Sequence, residues 1–357
     1  MKKFIAVVMT LALCLSMTSA LAASGQALVT WYTFGDPYLS SVRDALDAKL
    51  TEQGFTVNNR DANGVQQTQT DDVNTAIVQG SSVIVINLVD SGSIGTAETL
   101  LNACTAAGVP VVFFNRALSE FDDEVSALLS PANSVYVGTI AVEAGMMQGD
   151  MIGQYVLEHY DEIDLNGDGE ISYVMFMGQE GNQEAIYRTQ YGVENADAIL
   201  TAAGKPALKF YNPDNSSKYL VDMNGTWSNV ASNDYMNTIL SQYNEANGNM
   251  VELVIANNDD MAIGAINALQ GAGYNRGEGS TTIPVFGVDA TDAAKEAINA
   301  GTMTGTIKQD AEGMAEAVAV IAANLAEGKD KFDGLNENFN VQDDWRVNIP
   351  YAVYTGE

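Results

Sequence analysis

Five short, nearly uninterrupted apolar runs constrain the fold of this chain more than any other feature. They are SVIVINLVD (82–90), VPVVFFN (109–115), ISYVMFMG (171–178), VELVIANND (251–259) and IPVFGVD (283–289). A strand with one wet face alternates polar and apolar residues. One that is apolar at every position is covered on both faces, as in a parallel sheet between helix layers. The segments between the runs carry a helical period. In SVRDALDAKL (41–50), Val42, Leu46 and Leu50 share one face, and TDAAKEAINA (291–300) repeats the pattern behind an N-cap at 289–291. Strand and helix alternating in this way predict an α/β fold of doubly wound sheets. At 357 residues the chain exceeds the size at which one core stops growing, about 250–300 residues, so two lobes are expected.

Four of the runs end in a planar polar residue: Asp90, Asn115, Asn258 and Asp289. Two readings are open for each. Asp and Asn cap the helix that follows a strand. They also bind polar ligands in the crevice outside the carboxyl ends of the strands. Four together favour a shared polar cleft.

The rest of the composition removes function classes. A net charge of −30 opposes nucleic acid and anionic membrane surfaces, which call for a basic face. The single histidine, His159 in GQYVLEHYDEID, is read as a solvated helix end, and it leaves no room for Ser–His–Asp, Cys–His or zinc chemistry. No spacing marks a catalytic carboxylate pair, and GSIGTAETL (92–100) lacks the lysine of a phosphate loop. A non-enzymatic role is expected.

The chain begins MKKFIAVVMTLALCLSMTSALAASG. Lys2 and Lys3, the apolar stretch Phe4 to Leu13 and the small-residue site Ala20-Leu21-Ala22 form a signal peptide over 1–22, so the protein is expected to be exported. LALC (11–14) faintly resembles a lipoprotein box, but Leu13 is not small, and lipid anchoring at Cys14 is set aside. Cys104 then remains alone, without a disulfide partner.

DLNGDGEIS (164–172) fits the first nine positions of an EF-hand calcium loop. Asp164, Asn166, Asp168, the Glu170 carbonyl and Ser172 occupy the ligand positions, and Gly169 makes the turn. Position 12 should be a bidentate Glu but is Met175, whose thioether cannot close a calcium site. The residues alone leave open which group closes the loop, or whether it is an acidic turn without metal.

IPVFGVDA, PVVFFN, INLVD, LVIANNDDMAIGAINAL and DLNGDGEISYVM together resemble the D-galactose/D-glucose-binding proteins of bacterial ABC importers, which have the type I periplasmic binding protein fold. The resemblance runs over essentially the whole mature chain. It implies two Rossmann-like lobes joined by a three-crossing hinge, with residues 25–139 and 309–348 in one lobe and 140–308 and 349–357 in the other. It also implies a monomeric extracytoplasmic subunit. Such a subunit captures a monosaccharide, D-galactose or D-glucose first, and hands it to a membrane permease and to a chemoreceptor. Asp36, Asn115, Arg188, Trp227, Asn258 and Asp289 match the family's sugar contacts. Tyr38 stands where the family has Phe, Asn182 where it has His, Glu184 where it has Asp and Gln309 where it has Asn. Tyr38 and Trp227 would pack on the sugar's C–H faces while the polar set bonds its hydroxyls. The calcium loop would be closed by Glu252 from a distant strand, making the ion structural, with Ser172 reaching it through water. A sugar-sensing effector domain and an extracellular carbohydrate-active enzyme are the alternatives. The signal peptide and the missing helix-turn-helix oppose the first.

Overall fold

The computed structural model of the chain describes residues 25–356; the expected signal peptide and Cys14 lie outside them. Strands β1 (Gly25–Trp31), β2 (Phe55–Asp61), β3 (Val83–Ile86), β4 (Val111–Phe114) and β5 (Val135–Gly138) open the first lobe. The second lobe holds β6 (Ser172–Met177), β7 (Lys209–Phe210), β8 (Leu220–Val221), β9 (Leu253–Ala256), β10 (Val285–Asp289) and β11 (Gly305–Gln309). The chain then returns to the first lobe for β12 (Asn340–Gln342) and β13 (Arg346–Asn348), and ends on the second as β14 (Tyr351–Tyr354).

The first sheet runs β12-β13-β5-β4-β3-β1-β2 and the second β14-β11-β10-β9-β6-β7, with β8 also paired to β6. All pairings are parallel except β12 with β13 and β14 with β11. The orders β2-β1-β3-β4-β5 and β7-β6-β9-β10-β11 both reverse after the opening strand, the doubly wound arrangement whose switch point is where ligands bind. Apolar clusters cover both faces of each sheet, as the continuous runs require. The chain crosses between sheets three times, after β5, after β11 and between β13 and β14. Among the described residues no helix is long and apolar enough to cross a membrane.

Helix Pro37–Glu52 buries Val42, Leu46 and Leu50, and helix Asp292–Asn299 is capped by Thr291. His159 ends helix Ala141–Glu158, with Nδ1 3.2 Å from Glu162 Oε2 at the surface. That helix lies against helix Gln183–Ala202 along a stripe of small residues. A Cβ at Gly145 or Gly149 would stand 2.3 Å from the carbonyl oxygen of Tyr187 or Tyr191, so only glycine permits this approach.

One strand end differs from expectation. β3 stops at Ile86, so the fully buried Asn87 is its terminal polar residue; Asp90 is exposed and accepts from Thr96 Oγ1 at 3.4 Å. The run stays apolar past the strand because Leu88 and Val89 are buried in the turn.

Candidate functional site

Ten residues singled out from the sequence, Asp36, Tyr38, Asn115, Asn182, Glu184, Arg188, Trp227, Asn258, Asp289 and Gln309, line one cleft between the lobes, together with Tyr32 and Arg116. They follow β1, β4, β6, β8 and β9, with Asp289 closing β10 and Gln309 closing β11. The carboxyl ends of both sheets therefore face each other across the cleft.

Capping and cleft lining prove compatible. Asp36, Asn182 and Asn258 each accept the amide three residues on, from Leu39 (3.0 Å), Ala185 (3.1 Å) and Met261 (3.0 Å). The cap uses one oxygen and aims the remaining polar atoms at the cleft. Asp36 Oδ2 also accepts from the Tyr32 hydroxyl at 3.0 Å. Asn115, with φ 62°, is held by Asn87, whose Nδ2 donates to its Oδ1 at 3.1 Å, and by the Tyr136 hydroxyl, which donates to its carbonyl at 2.9 Å.

Arg188 is the hub of the second lobe. Its Nη1 donates to the Asn257 carbonyl (2.9 Å) and lies 4.0 Å from Asp289 Oδ1, and its Nη2 donates to Gln309 Oε1 (3.1 Å) and the Tyr351 hydroxyl (3.3 Å). Burial works against its charge, but Tyr351, Asp289 and Glu184 more than offset it and raise its pKa. Burial pushes the Asp36, Glu184 and Asp289 carboxyls up, Asp289 well above the usual range. A site of this kind favours hydroxyl donors for its carboxylates over a second anion.

Backbone strain is concentrated here. Trp227 sits at φ 57°, Asp289 at φ 127° and Ala290 at φ 56°. Residues other than glycine rarely adopt such angles, and they persist only where surroundings enforce them. For Trp227 the enforcement is Asp222, whose carboxylate accepts from Asn224 N, Thr226 Oγ1, Ser228 N and Ser228 Oγ. Burial alone would raise its pKa, but these bonds prevail and hold it below the usual range. Gly178 makes room for the indole, since a Cβ there would fall 2.1 Å from the ring. Asp259 stabilises the 289–290 turn, accepting from Thr306 Oγ1 at 2.6 Å and Thr291 N at 2.7 Å.

Four buried polar atoms of cleft-lining residues have no hydrogen-bond partner: Tyr38 Oη, Arg188 Nε, Trp227 Nε1 and Gln309 Nε2. Orphans of this kind are uncommon in folded proteins. Here they are gathered around one cleft, which fits a neutral, hydroxyl-rich ligand.

Tyr32 and Arg116 were not among the sequence candidates. The Arg116 guanidinium lies 4.1 Å over the Tyr32 ring and donates to the Leu88 (2.7 Å) and Val89 (3.2 Å) carbonyls. Arg116 directly follows Asn115, the one signal that could have marked it.

In the loop 164–172, Glu252 is fully buried and accepts from Leu165 N (2.9 Å) and Asn166 N (3.2 Å) on Oε1, and from Ser172 N (2.9 Å) on Oε2. Asp164 accepts from the Asp168 and Gly169 amides, and Asp168 from the Glu170 amide. The Ser172 hydroxyl donates to the Met250 carbonyl, and the Glu170 side chain pairs with Lys209. The donors are all hard oxygens, the chemistry calcium prefers. Among the described residues no three acidic, His or Cys side chains converge at metal-binding distance.

Residues 27–330 match the family described as the periplasmic binding protein domain. The D-galactose/methyl-galactoside binding periplasmic protein MglB of Haemophilus influenzae is 32% identical over 354 residues, 97% of this chain and 95% of its own. Among solved structures, a solute-binding protein from Bacillus halodurans with bound myo-inositol superposes with a TM-score of 0.66 at 22% identity, covering 93% of this chain and 95% of its own. One from Clostridium phytofermentans with bound β-D-glucose gives 0.69 at 18% identity, covering 92% and 94%.

Proposed function

The chain belongs to the periplasmic binding protein family, and we propose that it is the sugar-binding subunit of an ABC importer, capturing a hexose between its lobes. The observation that carries this reading is the set of four orphaned buried polar atoms around one interlobe cleft. A pyranose offers hydroxyls in its plane for Asp36, Asn115, Arg188, Asn258 and Asp289, and C–H faces for Tyr38 and Trp227. Because the lining comes from both lobes, bound sugar stabilises the closed form, the form a membrane permease would read. We favour D-galactose, with D-glucose next, on the residue matches and on the named ligand of the Haemophilus relative. Asn182, Glu184 and Gln309 change reach by one methylene or one donor and are where preference among hexoses would be set. Delivery to a chemoreceptor, export as a monomer and the absence of turnover belong to the same proposal.

We further infer that loop 164–172 with Glu252 holds a structural calcium ion. Its support is the placement of the Glu252 carboxylate against the loop amides. When bound, the ion would tie the loop to β9, outside the cleft.

The test is calorimetry of sugar-stripped protein against a panel of monosaccharides. Micromolar or tighter binding of an aldohexose, about −8 kcal/mol, with the sugar recovered unchanged, is expected. Tight binding of a pentose alone would move the ligand class, and release of a modified sugar would favour the enzyme reading.

A further inference from the structure

We propose that a second cavity beside the cleft is a subsite for the substituent of a glycoside, so that the protein takes a disaccharide as well as a free hexose. The inference rests on the sugar reading of the cleft and extends it.

The cavity, about 180 Å³, is lined among others by Tyr136, Gln183, Glu184, Tyr187, Trp345 and Arg346. Glu184 lines the cleft too and is the wall the two spaces share. It is 6% exposed, and among the described residues no other residue donates a hydrogen bond to its carboxylate. A buried carboxylate with open acceptor capacity between two cavities suits a ligand that passes from one to the other.

Size and chemistry narrow the class. A dry cavity of about 150 Å³ accepts a benzene ring, so this one has room for a six-membered ring. Its walls are not a hydrocarbon's. Tyr187 offers an aromatic ring and Gln183 an amide, and the buried Trp345 indole N–H has no partner, while the Arg346 guanidinium lies over the Tyr136 and Trp345 rings at 5.4 and 5.8 Å. Arg346 does not make the cavity anion-selective. Its Nη1 pairs with Asp122 at 2.8 Å, its Nε donates to Asn348 Oδ1 at 2.6 Å, and its Nη2 donates to the Thr139 carbonyl at 3.0 Å. One accessible aromatic ring, the Gln183 amide, the Glu120 and Asp122 carboxylates and a satisfied cation match the hydroxyls and one C–H face of a second sugar ring. Tyr136 and Trp345 come from the first lobe and Gln183 and Tyr187 from the second, so the occupant bridges the lobes as the hexose does.

The test is calorimetry of the mature protein with D-galactose, D-glucose, lactose, melibiose, cellobiose and maltose. At least one disaccharide is expected to bind within tenfold of its free hexose. Tyr187→Ala is expected to weaken that disaccharide tenfold or more and leave hexose affinity within twofold. Gln183→Ala repeats the test if Tyr187→Ala lowers the melting temperature. If hexoses bind and every disaccharide is more than tenfold weaker, the subsite is wrong and the hexose cleft stands. Equal losses for hexose and disaccharide, or no loss for either, also overturn the subsite. Failure of every sugar removes both readings.

Discussion

Arg116 Nη2 donates to Gln179 Oε1 at 2.8 Å, a direct bond from the first lobe to the second. Beside it, Asn182 Nδ2 donates to Ser91 Oγ at 3.2 Å. The closed form thus carries contacts of its own, made by residues on either side of the cleft mouth. Gln179 is not part of the cleft lining. A bond to a charged group contributes roughly 1.5–3 kcal/mol, so Gln179→Ala should weaken hexose binding about tenfold through closure alone. Titration would measure the affinity, and small-angle scattering the fraction closed. An unchanged affinity would mean the contact adds nothing to closure.

Asp289 is expected to bear directly on the sugar. Asp289→Ala removes a buried carboxylate and leaves the Arg188 guanidinium without its nearest acid, so affinity should fall by about 2 kcal/mol or more. Fluorescence titration through Trp227 would read this. If affinity holds, Asp289 serves only the strained turn.

Asp259 gives a pH signature. Burial pushes its carboxyl from an ordinary 3.8 up to about 7. The folded state then holds this proton over a range where the unfolded chain has released it. The contribution to stability is complete below the unfolded pKa and is lost as pH rises from about 4 to about 7, by at most roughly 1.4 kcal/mol per pH unit. Melting temperature should fall across that window more steeply in the wild type than in Asp259→Asn. Parallel slopes would contradict the assignment.

Calcium provides a fourth test. At 100 times its dissociation constant the ion would add about 2.7 kcal/mol to stability. Chelation should therefore lower the melting temperature, and calcium should restore it better than magnesium, whose octahedral shell fits such a loop poorly. Glu252→Gln should remove most of the calcium response and leave hexose affinity nearly intact. A full response in that variant would exclude Glu252 as a ligand, and no effect of chelation on the wild type would leave an acidic turn.

Sequence reasoning worked best where one physical rule acts along the chain. β3, β4, β6, β9 and β10 were legible because burial on both faces demands continuous apolar residues. β1 and β11 were not, since Thr30 is buried through a bond from Gln69 Nε2 at 3.2 Å and β11 is the mixed sequence GTIKQ. Strand ends marked Asn115, Asn258 and Asp289. Asp36, Tyr38, Asn182, Glu184, Arg188, Trp227 and Gln309 came from family resemblance, because nothing local distinguishes them. Tyr32 needed the three-dimensional packing of a cation on its ring, which no spacing encodes, and Arg116 is marked only by its place after Asn115.

The glycine stripe between helices Ala141–Glu158 and Gln183–Ala202 also bears on how binding becomes motion. The first helix starts where the chain leaves the first lobe, and the second carries Arg188 in its second turn. With backbone against backbone at Gly145 and Gly149, there is no compliant layer between them. The pair acts as a crank. A pull on the guanidinium at one end would reach the crossing as torque, with little lost to slip in between.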